Sequence, residues 1–168
     1  NTGIYNIGTS GTAIINNAGT IDLGDAGTGI YIENGNITNT GTINVGNKVV
    51  SSSVGIYAKD SVLNDAGVVK VGDNGTAVYL NKVDTFRTIK LGKLETGKNG
   101  IGLYTENSSF IDSMDSITTD ENSTAVYIKS GIFDSSFMDE NKFYLGVGSN
   151  GYFLENGSLT SSSVMKNI

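Results

Sequence analysis

The chain has 168 residues, of which 38% are hydrophobic, with 23 glycines, no proline, no histidine, no cysteine and a formal charge of −6. The missing histidine and cysteine exclude a Ser-His-Asp triad, Cys-His chemistry and most zinc sites, and leave no disulfide to report the compartment. An acidic chain with one arginine is a poor partner for nucleic acid or an anionic membrane, and no run approaches the ~20 apolar residues of a membrane-spanning helix.

From its first residues the chain repeats itself. Gly3-Ile4-Tyr5 returns as Gly29-Ile30-Tyr31, Gly55-Ile56-Tyr57, Ala77-Val78-Tyr79, Gly102-Leu103-Tyr104 and Ala125-Val126-Tyr127, with Gly151-Tyr152-Phe153 as a looser seventh copy. The aromatic positions are 26, 26, 22, 25, 23 and 26 residues apart. A fixed period of this length marks a solenoid. The opening residues 1–8 also fit the second motif described next. The interval of 26 residues to the following tyrosine favours Tyr5 as the first rung.

That second motif follows each tyrosine. Asn17-Ala18-Gly19-Thr20-Ile21-Asp22-Leu23-Gly24 is matched by Asn39-Thr40-Gly41-Thr42-Ile43-Asn44-Val45-Gly46 and Asp65-Ala66-Gly67-Val68-Val69-Lys70-Val71-Gly72. Thr85-Phe86-Arg87-Thr88-Ile89-Lys90-Leu91-Gly92 reads as the fourth copy, without the leading turn residues. Ser116-Ile117-Thr118-Thr119 and Lys142-Phe143-Tyr144-Leu145-Gly146 are weaker. Apolar and polar residues alternate, as a half-buried strand requires, and Gly, Asn and Asp bracket each strand where turns demand positive φ. A shorter third element centres on Ile15, Ile37, Leu63, Val83, Phe110, Phe133 and Leu159.

Three short strands per repeat and no helical periodicity predict an all-β fold, a right-handed parallel β-helix of about seven coils. At about 4.8 Å per coil, the rod is roughly 30 Å long. Alternation points Ile4, Ile30, Ile56, Val78, Leu103 and Val126 inward and the tyrosines outward, with Gly29, Gly55, Ala77, Gly102 and Ala125 beside the rings on the outer face. Residues 1–168 read as one β-helical segment, and the absence of a convincing cap predicts an internal piece of a longer chain.

The combination of Thr-Gly-Ile-Tyr, Asn-Thr-Gly-Thr-Ile-Asn-Val-Gly and Ser-Val-Gly-Ile-Tyr resembles the passenger repeats of very large fusobacterial type V autotransporter adhesins of the RadD-like kind. Residues 1–110 carry the resemblance well and residues 111–168 more loosely. The resemblance implies a signal peptide, a long β-helical passenger and a C-terminal outer-membrane barrel, of which only passenger-like sequence is present. It also implies display at the bacterial surface and adhesion to a glycan or protein receptor on host or bacterial cells. Membrane association is then expected only through the absent barrel.

Charge singles out the middle of the chain. Residues 81–100 hold Lys82, Arg87, Lys90, Lys93 and Lys98 against Asp84 and Glu95, a local +3 within an acidic chain. Outward cations keep strands soluble and discourage edge pairing; as a band, Arg87, Lys90, Lys93 and Lys98 are candidate contacts for an acidic glycan or protein. Lys70 and Lys90 are expected at equivalent outward positions of successive coils. Tyr31, Tyr57, Tyr79 and Tyr104 are the second candidate surface. Stacked like residues stabilise a solenoid, and outward rings offer platforms for sugar faces. Residues 47–53, 93–99 and 134–142 are expected to be surface loops. Asp112, Asp115, Asp134, Asp139 and Glu140 form a loose acidic group, read as a solvated face, a calcium site or a carboxylate pair. The functional expectation is a non-enzymatic adhesin segment without catalytic residue, metal or cofactor. A β-helix polysaccharide lyase or hydrolase is the enzymatic alternative, and a ligand-free stalk the structural one.

Overall fold

The computed structural model describes residues 1–9, 11–48, 53–134 and 142–160. These residues form stacked coils of parallel strands, with no helical element among them longer than an isolated turn. The chain is a parallel β-solenoid with three sides. The first sheet runs through β1 (Thr2–Ile7), β4 (Thr28–Glu33), β7 (Val54–Lys59), β10 (Thr76–Asn81), β12 (Ile101–Glu106), and the first halves of β14 (Thr124–Asp134) and β16 (Asn150–Thr160). The second contains β2 (Ala13–Asn17), β5 (Gly35–Asn39), β8 (Val62–Asp65) and the first halves of β11 (Asp84–Thr96) and β13 (Ser108–Thr119). It ends on the second halves of β14 and β16. The third holds β3 (Thr20–Leu23), β6 (Thr42–Val45), β9 (Val68–Val71), the ends of β11 and β13, and β15 (Phe143–Tyr144).

The first sheet thus has seven rungs and the third six among the described residues, so complete coils are fewer than the seven expected. Tyr5 pairs with Tyr31, which places the first rung where the 26-residue interval put it.

The core is a set of columns. Ile30, Ile56, Val78, Leu103 and Val126 are fully buried, and Ile4 packs against them from the first rung. Ile32, Ala58, Leu80 and Ile128 form a second buried column on the same strands, and Ile43, Val69, Leu94 and Ile117 answer from the third sheet. Burying each large aliphatic side chain is worth about 1.5–3 kcal/mol.

The small residues before these aliphatics do not serve the tyrosine rings, as alternation suggested. A Cβ on Gly29 would meet Ile43 Cγ2 at 2.3 Å, and one on Gly55 would meet Val69 Cγ1 at 2.1 Å. Ala77 and Ala125 are fully buried. The position is small because the third sheet's inward side chains fill the space behind it. Strict alternation fails here because three sheets converge on a narrow interior.

The fourth copy of the second motif is also displaced. Lys93, Leu94, Glu95 and Thr96 pair with Val68, Val69, Lys70 and Val71, while Lys90 pairs with Asp65 on the second sheet. Gly92, at φ 60°, is the corner between the two sheets, stacked where a Cβ would lie 2.0 Å from the Gly67 carbonyl. Residues 85–92 therefore belong mainly to the second side. Lys70 aligns with Glu95 rather than with Lys90. The shared pattern of Val69-Lys70-Val71-Gly72 and Ile89-Lys90-Leu91-Gly92 made the two segments look equivalent.

The other corners are columns of left-handed residues. Between the first and second sheets stand Asn34, Asp60, Lys82 and Asn107. Between the third and first stand Ala26, Asn74, Asn99, Asn122 and Gly148. Asn and Asp tolerate this conformation better than other side-chain-bearing residues. Each corner hangs on the next: Asn74 N donates to the Lys98 carbonyl at 2.8 Å and Asn99 N to the Glu121 carbonyl at 2.9 Å. The expected loop at 93–99 is thus a strand followed by a tight Gly97-Lys98-Asn99-Gly100 turn. Of the other two expected loops, residues 49–52 and 135–141 lie outside the described residues.

Candidate binding surfaces

The outward face of the first sheet carries the aromatic column. Ring centroids from Tyr5 through Tyr31, Tyr57, Tyr79, Tyr104 and Tyr127 to Phe153 are 4.6–5.0 Å apart, the spacing of the strands beneath them. Tyr5, Tyr31 and Tyr57 stack with interplanar angles of 15° and 8°. Tyr79 turns edge-on to both neighbours, at 70° and 63°. Stacked rings cover one another's faces along the rod and leave their edges to solvent, so most of the column offers little platform for a sugar.

Two residues beyond the rings runs a column that is charged at Glu33, Lys59, Glu106, Lys129 and Glu155 and uncharged at Ile7 and Asn81. Glu33 pairs with Lys59 at 3.2 Å, and Glu106 with Lys129 at 2.9 Å. The tyrosine hydroxyls join it. Tyr31 donates to Glu33, Tyr79 to Glu106 at 2.8 Å and Tyr127 to Glu155 at 2.9 Å. The Tyr31 hydroxyl, then Lys59, holds the Glu33 carboxyl below its ordinary value, and Lys129, then Tyr79, does the same for Glu106. In return Tyr31, through its bond to Glu33, and Tyr79, mainly through burial, are pushed well above the ordinary tyrosine range. The polar groups of this face are largely engaged with each other.

The basic band does not form a patch. One coil visits all three sides of the rod, so cations adjacent in sequence are distributed around its perimeter. Lys90 lies on the second side, 3.1 Å from Asp65. Lys98 sits at the third-to-first corner, 2.9 Å from Glu121, with its backbone N–H on Asp73 Oδ1 at 2.8 Å. The neighbouring carboxylates raise both lysines above their ordinary value. Lys93 is on the third side, and the side chain of Arg87 lies outside the described residues. The structure gathers Tyr31, Tyr57, Tyr79 and Tyr104 on the first sheet and brings none of the band's lysines into that column.

The third side holds a different surface. Lys93, Glu95, Asp115, Ser116, Thr118 and Tyr144 line an open depression of about 510 Å³. Lys93 and Ser116 are cross-strand neighbours, as are Glu95 and Thr118, and Thr118 in turn pairs with Tyr144. Tyr144 is 59% exposed, with no stacked aromatic neighbour among the described residues. Lys70 anchors Glu95 from the coil before, at 2.9 Å. A cation, two carboxylates, two hydroxyls and a ring thus meet within one concavity. Of the sequence candidates only Lys93 and Asp115 fall here. Tyr144 lies in a weak copy of the second motif, outside the aromatic column, and Glu95 falls in the expected loop at 93–99. The side chains of Asp112 and Asp134 and all of Asp139 and Glu140 lie outside the described residues, and no cluster of metal-ligating side chains occurs among the rest.

No family model, no curated protein and no solved structure matches this chain.

Proposed function

We propose that this chain is a non-enzymatic adhesive segment of an extended bacterial surface protein of the autotransporter passenger type. The coils act as a spacer that carries a contact surface away from the cell. The partner is a glycan or protein receptor on another bacterial or host cell. The observation that carries this reading is the third-side depression, where exposed Tyr144 lies beside Lys93, Glu95 and Asp115. A ring with flanking hydrogen-bonding groups suits weak, repeated contacts with polar receptors.

The test is binding of the purified chain to cells and to a glycan array, beside Lys93→Glu and Tyr144→Ala. Saturable binding that either substitution weakens supports the reading. Absence of binding supports the ligand-free stalk, a reading favoured by the self-paired charges of Lys59, Lys90, Lys98 and Lys129. Turnover of uronate polymers would instead favour the lyase alternative.

A further inference from the structure

The chain contains five Asn-Gly dipeptides, at 34–35, 74–75, 99–100, 150–151 and 156–157. Asn-Gly is the most labile asparagine context in peptide chemistry. The glycine nitrogen loses its proton to solvent base and attacks the asparagine Cγ. The new C–N bond closes a succinimide and ammonia leaves. Water then opens the ring at either carbonyl, giving aspartate or isoaspartate.

The fold divides these five into two groups. Asn34, Asn74 and Asn99 occupy corners in the left-handed region, at φ 55°, 58° and 53°, each followed by a buried glycine. In every case the nucleophilic nitrogen is already a donor. Gly35 N donates to Ser61 Oγ at 3.1 Å and Gly100 N to Ser123 Oγ at 3.0 Å, both hydroxyls coming from the next coil. Gly75 N donates to the Gly72 carbonyl at 3.2 Å. Ser61 and Ser123 are themselves buried and fixed by further bonds, to the Lys59 carbonyl at 2.7 Å and the Gly97 carbonyl at 3.0 Å. Asn150 and Asn156 differ. Both are exposed on β16, their glycines are half-buried, and no side-chain oxygen among the described residues accepts from Gly151 or Gly157.

We propose that Asn150 and Asn156 are sites of spontaneous deamidation, and that Ser61 and Ser123 hold Asn34 and Asn99 inert by occupying the attacking nitrogen. Succinimide formation at a corner then needs that corner to open, so its rate is set by local unfolding. Asn-Gly suits the left-handed corner geometry at three turns of this rod, and at two of them the serine of the following coil removes the chemical liability.

The experiment incubates the whole chain in mildly alkaline heavy-oxygen water and maps each dipeptide by mass spectrometry, folded and in urea. In urea all five should react at similar rates. In the folded chain Asn34, Asn74 and Asn99 should slow at least about tenfold, while Asn150 and Asn156 remain the fastest. Folded Ser123→Ala should accelerate Asn99 and leave Asn34 and Asn74 unchanged, and Ser61→Ala should accelerate only Asn34. A variant that loses its fold, seen by circular dichroism, will accelerate all five together, and the wild-type comparison then decides. Asn34 and Asn99 reacting in the folded wild type as fast as in urea overturns the proposal, as does a folded Ser123→Ala variant with Asn99 still slow.

Discussion

The first and third sides of the rod share one strand spacing and put it to different use. On the first side the outward positions are largely committed. Rings stack on rings, hydroxyls meet carboxylates, and Glu33 and Glu106 each hold a lysine of the next coil. On the third side the pattern breaks after Lys70–Glu95, and the outward residues leave a concavity with an exposed ring. The difference teaches that regularity in a solenoid marks cohesion, and that a contact surface is to be sought where the columns stop matching.

The largest effect should come from the interior that both sides share. Gly55→Val would drive a methyl-bearing Cβ into Val69 and to within 2.5 Å of the Ala77 carbonyl oxygen. A loss of about 3 kcal/mol or more is expected in thermal or urea unfolding. Next in size is a gain. Thr105 sits in the buried column between Leu80 and Ile128, and its hydroxyl has no partner. Thr105→Val should stabilise the rod by about 1 kcal/mol, read as a raised midpoint in urea.

The first side should also set the pH response. Glu33 and Glu106 are depressed on folding. Such a carboxylate contributes stability that is complete above its unfolded pKa of about 4.3 and is lost as pH falls through the lower folded value. Thermal stability should therefore hold from neutrality down to about pH 5 and decline below it, with Glu106→Gln flattening the decline. In alkali the sign reverses. Tyr31 and Tyr79 are raised from 10.0, so their contribution is complete below the unfolded value and is lost as pH rises above it. Tyrosinate absorbance of the folded chain should lag behind that of the unfolded chain. The smallest effect belongs to the exposed pair at the corner. Lys98 and Glu121 are each about half exposed, and Lys98→Gln should leave the unfolding midpoint nearly unchanged.

Much of this architecture was legible in the sequence because periodicity needs no tertiary information. The intervals between tyrosines located the rungs, and Ile30, Ile56 and Leu103 identified themselves as core. Two things were not legible. Gly29 and Gly55 are small because of Ile43 and Val69, residues from another side of the coil that strand alternation does not reveal. The basic band looked like a patch because sequence order does not show that a coil encircles the rod. One missed signal was available: the charge two residues after five of the seven rings, in Glu33, Lys59, Glu106, Lys129 and Glu155. Another was the turn formed by Gly72-Asp73-Asn74-Gly75 and Gly97-Lys98-Asn99-Gly100, which would have placed residues 93–96 on a strand.

The contrast between the two sides is tested most directly by paired tyrosine substitutions, each measured for both unfolding and cell binding. Tyr57→Ala removes a ring from within the column and should lower stability by about 2 kcal/mol, while binding measured below its melting transition is retained. Tyr144→Ala should leave the melting transition nearly unchanged and reduce binding. The opposite pattern, with binding lost through Tyr57 and kept without Tyr144, would contradict the assignment of cohesion to the first side and contact to the third.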